Sequence, residues 1–328
     1  MPITSARWTL GHRPALDGLR GLAVLIVVAD HAGYLDEPAG GMGVTVFFVL
    51  SGFLITRVIV EARDDGSWSM PGFVANRFVR LFPALLLMVT VVSVVLATRG
   101  FTLEQIAGRA VPALAYVENI DPPGLRVFSQ TWSLGVEEQF YLLWPLVLPW
   151  VLGRARPRLV LILAIAASAA AMVVSYHDWL PMHAYALLAG CLLALMGPLR
   201  ARSWLVPVGA VGLAAAILVA PGFDRIYVYG PMLATPAAVL LVAGAAGGNR
   251  VLELSGPRFL GRISYAVYLW HLPLLVLTGT VYGRATAWVP LAVAVLLAIA
   301  STLLLEEPLR RAWRQRRDQD VGAQHVLT

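Results

Sequence analysis

Long apolar runs separated by short polar segments that carry arginines make up most of the chain. They fall near residues 17–35, 42–60, 81–98, 133–152, 159–176, 181–197, 204–220, 230–247, 263–280 and 287–305. As helices rising about 1.5 Å per residue, runs of this length approach or span the roughly 30 Å of a bilayer's hydrocarbon. The pattern therefore predicts an all-α integral membrane protein, a bundle of about ten transmembrane helices. An eleventh candidate, 103–118, is interrupted by Glu104, Gln105, Arg109 and Pro112. It is expected to be an amphipathic helix inside a long segment, 99–132, that ends in a Pro-rich loop. With no repeat or low-complexity tract, one domain is expected over 1–308, and 309–328 reads as a short charged tail that frays.

Composition agrees with the pattern: 59% of residues are hydrophobic and 13% charged, against roughly 25% charged in soluble domains. The expected location is the cell membrane, multi-pass. A net charge of +6 could point to nucleic acid, but topology explains it better in so apolar a chain. All 25 basic residues are arginine, which suggests a GC-rich, bacterial coding bias. Arg7 and Arg13 precede the first run and no small-residue cleavage site follows it, so that run reads as a retained signal-anchor. The single cysteine, Cys191, excludes a disulfide framework and a cysteine metal cluster, is expected in the core of its helix, and leaves no metal site in view.

The arginines orient the bundle. If 103–118 stays outside the bilayer and both termini are cytoplasmic, 20 arginines lie inside and five outside, the five being Arg99, Arg109, Arg126, Arg225 and Arg284. The positive-inside rule selects that arrangement.

Against this frame the ionisable residues within apolar runs stand out, because charge in lipid is costly and its retention usually has a reason. Arg20 and His31 lie eleven residues apart, about 20° out of phase on a helix and roughly 16 Å apart along it, so they share a face at different depths. Glu137 and Glu138 enter their span about one turn below the outer surface, near the level expected for His31. Either acid could orient an imidazole that removes a proton from a hydroxyl, although an ionic contact that only fixes packing would use the same residues. Asp30 points about 100° away from His31 and is expected to pair with another helix or cap a polar pocket.

Arg77 and Arg80 project from adjacent turns and together suit a phosphate, or serve simply as inner-face anchors. With Arg20 they suggest an anion site about 16 Å from His31, a span of the order of a pantetheine arm. Ser51, roughly 13 Å below the outer end of its helix, lies too deep for a nucleophile pair with His31, which favours direct transfer over a seryl intermediate. Ser51 and Gly52 should let a neighbouring helix approach closely. Ser133 gives a cap-like start to its helix; Trp132 is read as an interfacial belt residue, and Tyr141 could be one too. His271, near mid-span with Tyr268, is either a helix-to-helix hydrogen-bonder or part of a tunnel lining. Glu306, Glu307, Arg310 and Arg311 read as C-terminal ion pairs.

These residues, in this order, carry a resemblance. Leu16-Asp17-Gly18-Leu19-Arg20-Gly21 with His31, Phe47-Phe48-Val49-Leu50-Ser51-Gly52-Phe53, Arg77 with Arg80, Thr131-Trp132-Ser133-Leu134 through Glu137 to Tyr141, Tyr268-Leu269-Trp270-His271, and Glu307-Pro308 together resemble the membrane-bound acyltransferase-3 family over nearly the whole chain. The resemblance implies a ten-span protein that moves an acyl group, acetyl above all, from cytoplasmic acyl-CoA to a hydroxyl of a carbohydrate, glycolipid or glycosylated natural product. It implies His31 and Glu137 as catalytic residues and Arg20, Arg77 and Arg80 as donor-binding ones. Glu138 falls where the family tolerates other residue types, and Asp30 stands where an apolar or aromatic residue is usual. The esterase-like domain that some members append has no counterpart in this sequence, which would leave the acceptor to the membrane core. A proton-coupled transporter or exporter is the competing class, but a proton relay has no need of the inner-face arginines.

Overall fold

In a computed structural model the chain is described over residues 9–36, 38–120, 127–175, 179–197, 199, 202, 204–223 and 225–326. The Pro-rich part of the 99–132 segment, with Arg126, lies outside these residues, as do Arg7 and Arg200. All the described regular structure is helical: α1 (Pro14–His31), α2 (Ala39–Asp64), α3 (Met70–Thr98), α4 (Leu103–Leu114), α5 (Thr131–Leu152), α6 (Pro157–Val174), α7 (Leu180–Ala194), α8 (Leu205–Val219), α9 (Ile226–Ala246), α10 (Ser255–Thr278), α11 (Trp288–Ser301) and α12 (Glu307–Val326).

Helix boundaries follow local chemistry. Prolines stand in the first turn of α1, α3, α6 and α7, where a missing N–H is harmless. Ser69 caps α3 by accepting from the Gly72 N–H. Thr102 and Gln105 form a reciprocal capping box at the start of α4, the short amphipathic helix expected there.

Seven helices among the described residues are long and apolar enough to cross a membrane: α2, α3, α6, α8 with the turn after it, α9, α10 and the α11–α12 column. The other three expected spans are helices too. However, α1 carries Asp17, Arg20 and Asp30, α5 carries Glu137 and Glu138, and α7 has 15 residues. The peripheral helices α3, α6, α8 and α11 bury only 17–33% of their most apolar windows. Leu86, Val94, Leu163, Val211, Leu218, Leu296 and Leu304 lie exposed on them. Apolar surface on that scale requires lipid rather than water around it.

The central column is α2, buried on nearly every side and packed against α1, α5, α7, α8 and α9. Its close approach to α7 runs through Gly52, as the small residues at 51 and 52 suggest: a Cβ there would overlap the Leu187 carbonyl. Gly261 does the same for α10 against the Asp17 carbonyl of α1. Cys191 is buried at the α2–α7 contact with its Sγ 3.4 Å from the Gly52 carbonyl oxygen, a core residue as expected. Gly52→Val is expected to force α2 from α7 and destabilise the fold by about 1–3 kcal/mol or more. Thermal unfolding in detergent, monitored by light scattering, checks this, and an unchanged midpoint would contradict the packing.

One expectation fails outright. The tail after Pro308 is not frayed but continues α11 through a wider turn at Thr302–Glu306 into α12. Trp313 of α12 donates its indole N–H to Asn76 Oδ1 of α3 at 2.7 Å. The residues Arg310, Trp313 and Arg314 follow the i, i+3, i+4 spacing of one helix face, a signal that the run of arginines hides.

Candidate active site

A cavity of about 640 Å³ opens between α1, α2, α3, α5, α10 and α12. One end is cationic, lined by Arg20, Arg77, Arg80, Arg310 and Arg314. Its other polar wall comprises Ser51, Ser133, Glu137, Tyr141, Ser264, Tyr265 and Tyr268. Phe47, Leu50, Leu54 and Ile55 of α2 form an apolar side. Five arginines face one wall glutamate, so the space favours an anion. A volume within the usual 300–1,000 Å³ of small-molecule sites suits a ligand with an extended arm.

The arginines are not equivalent. Arg77 Nη2 lies 2.6 Å from Glu138 Oε1, and its guanidinium stacks 3.4 Å over the Tyr141 ring. Arg310 holds Glu306 at 3.2 Å and Arg311 holds Glu307 at 2.8 Å, the C-terminal ion pairs expected from sequence. Among the described residues Arg80 makes no ion pair, and the buried Nε of Arg20 has no hydrogen-bond partner. The expected Arg77–Arg80 fork is thus split: Arg77 is committed to a carboxylate on α5, while Arg80 stays open to the cavity. Arg314 and Trp313, which sequence reasoning overlooked, stand beside it.

The acids and histidines pair differently from expectation. Glu137 accepts from the Ser51 hydroxyl at 3.0 Å, and Glu138 pairs with Arg77, so neither acid pairs with His31. The reason is depth. Glu137 stands level with Ser51, near the middle of α2, whereas His31 is the last residue of α1. The first turn also differs in detail, because Ser133 does not cap. Its Oγ lies 2.7 Å from the Tyr268 hydroxyl, which donates to the Gln130 carbonyl at 2.9 Å.

His31 instead lies against His271 of α10. Its Nδ1 is 3.0 Å from His271 Nε2, and the rings stack with centroids 5.2 Å apart. Of the two possibilities for His271, the helix-to-helix hydrogen bond is the one formed. Neither imidazole is in the cavity wall, but Tyr268 is, and its ring centroid lies 5.6 Å from that of His271. Asp30 is buried with its carboxylate against Gly40 at the start of α2, turned toward another helix as its 100° offset predicts. Trp132 packs edge-on to Phe48 and against His183 of α7.

A family model described as an acyltransferase domain, Acyl_transf_3, matches residues 13–307. The chain is similar to the peptidoglycan O-acetyltransferase OatA of Listeria monocytogenes, at 29% identity over 94% of this chain and 57% of that protein. It is 34% identical to the putative peptidoglycan O-acetyltransferase YrhL of Bacillus subtilis, over 92% of this chain and 56% of that one. The O-acetyltransferase OatA of Staphylococcus aureus is 28% identical, over 91% and 57%. The chain thus spans little more than half the length of these curated relatives. No solved structure matches it.

Proposed function

Because the chain belongs to the acyltransferase-3 family, we propose that it is a membrane O-acetyltransferase taking its acetyl group from acyl-CoA and delivering it to a hydroxyl of a cell-wall glycan. The observation that carries the reading is the cavity, in which unpaired arginines gather beside hydroxyl and carboxylate groups. Orientation follows the arginine distribution, with this cationic end on the cytoplasmic side, where acyl-CoA is found. Arg20, Arg80 and Arg314 hold the donor's phosphates by charge-assisted hydrogen bonds. The acyl arm lies along the apolar face of α2, past Ser51 and Glu137, toward the place where Phe47 and Tyr268 now meet edge to face.

His31 acts as general base. The acceptor O–H bond breaks and its proton passes to the imidazole, while the oxygen attacks the thioester carbonyl. The C–S bond then breaks, and the departing thiolate takes the proton back as free thiol. Glu137, hydrogen-bonded to Ser51, has a revised role: it sets the polarity of the passage rather than orienting His31. The glycan acceptor is suggested by relatives whose names specify peptidoglycan.

Purified protein in nanodiscs, given radiolabelled acetyl-CoA and soluble peptidoglycan fragments, is expected to form an alkali-labile acetylated glycan. Failure of acetyl-CoA to bind at all would overturn the donor assignment. Binding without transfer to any glycan would overturn the acceptor class. Glu137→Gln, which keeps the hydrogen bond to Ser51 but removes the charge, is expected to alter kcat by less than about tenfold, in contrast to loss of a general base, which costs about 10²–10⁴-fold.

A further inference from the structure

We infer that His271 is a positioning residue that fixes the tautomer of His31 and leaves its Nε2 as the basic nitrogen; the inference deepens the general-base reading and rests on it. His271 Nδ1 lies 2.8 Å from the Tyr268 carbonyl oxygen and 3.2 Å from that of Val267, both on its own helix. A carbonyl oxygen only accepts, so Nδ1 of His271 must carry its hydrogen. In the neutral ring Nε2 then holds the lone pair. That nitrogen faces His31 Nδ1 at 3.0 Å, so His31 Nδ1 must be the donor. The remaining lone pair of the neutral His31 ring is on Nε2, which is therefore where a hydroxyl proton can go.

This chain of three constraints runs from a helix backbone to the reacting nitrogen. His271 is fully buried while His31 is half-buried, so the anchored ring is the inner one and the base is the more accessible. When His31 Nε2 takes a proton, its Nδ1–H···Nε2 bond to His271 becomes charge-assisted and strengthens, which stabilises the imidazolium as it forms. A carboxylate in that place would bring a full charge into a site where, with the base neutral, nothing compensates it. A neutral imidazole supplies the acceptor without that charge, and Glu137 and Glu138 are accordingly engaged elsewhere.

The test has two arms. His271→Phe keeps an aromatic ring but removes the acceptor, and His271→Gln places an amide oxygen near the position of Nε2. His271→Phe is expected to lower kcat about 10²–10³-fold, in the range lost when a general base is disabled, with donor KM within twofold. His271→Gln should recover at least tenfold of that loss. Equal kcat in His271→Phe and the parent, or His271→Gln no better than His271→Phe, would overturn the assignment. The second arm needs no variant and no activity. Long-range ¹⁵N–¹H correlation on the unaltered protein in nanodiscs should find neutral His31 protonated at Nδ1, and a proton at Nε2 would refute the inference. This readout also separates the inference from the proposed function, since the tautomer can be as described in a protein that transfers no acetyl group.

Discussion

His31→Ala is expected to lower kcat for acetyl transfer by about 10³-fold or more while leaving the affinity for CoA unchanged. A positioned general base contributes about 10²–10⁴-fold, and alanine offers no substitute for the proton. Donor affinity should survive because His31 is absent from the wall of the arginine-lined cavity, so no phosphate contact is touched. The structural cost is modest. The variant leaves His271 Nε2 without its donor, worth about 1–3 kcal/mol, at a place where His31 itself is only half-buried. Calorimetric titration with CoA and a radiolabel transfer assay on the same preparation separate the two quantities. Turnover within tenfold of the parent would remove His31 from the chemistry, and loss of CoA binding would show that the imidazole pair supports the cavity rather than the reaction.

Arg77→Ala and Arg80→Ala are expected to fail in different ways, although the two residues sit three positions apart and read alike in sequence. Arg77 is partly buried against Glu138 and stacked on Tyr141. Removing one partner of a buried pair leaves the other charge uncompensated and typically costs about 3–5 kcal/mol, a large fraction of the stability of an ordinary domain. Arg77→Ala should therefore lower the thermal midpoint and the yield of folded protein. The double variant Arg77→Ala/Glu138→Ala should regain most of the loss, because no orphaned carboxylate remains. Arg80 makes no ion pair among the described residues and faces the cavity, so Arg80→Ala should fold normally and raise donor KM. A hydrogen bond to a charged group contributes about 1.5–3 kcal/mol, which corresponds to roughly 10–150-fold. An Arg80→Ala protein with unchanged KM would contradict the donor site, and an Arg77→Ala protein of full stability would contradict the structural role given to the pair.

The contrast shows where periodicity stops being informative. It placed ten helices along the chain and put Arg20 and His31 on one face of α1. It also marked Ser51 and Gly52 as the place where α2 meets another helix. These are local matters, decided by 3.6 residues per turn, the cost of bare backbone in lipid and the volume of a side chain. The family resemblance, too, lives in short motifs with characteristic order and spacing, and the match over residues 13–307 bears it out.

What a helix's own sequence leaves open is how deep its first turn is set and which neighbour each face meets. Glu137 and Glu138 differ by one position, a rotation of about 100°. That step sends one to Ser51 of α2 and the other to Arg77 of α3. His31 finds its partner 240 positions away on α10, and α12 reaches the cavity through a tail whose composition suggested only solvent. Sequence by itself therefore determined that this is a helical membrane protein of the acyltransferase-3 kind, with Arg20 and His31 on one face of its first helix. Only the tertiary structure decided which acid or imidazole faces that histidine and which arginines remain free for a ligand, because pairing depends on the azimuth and insertion depth of separate helices, and these are set by packing between segments far apart in the chain.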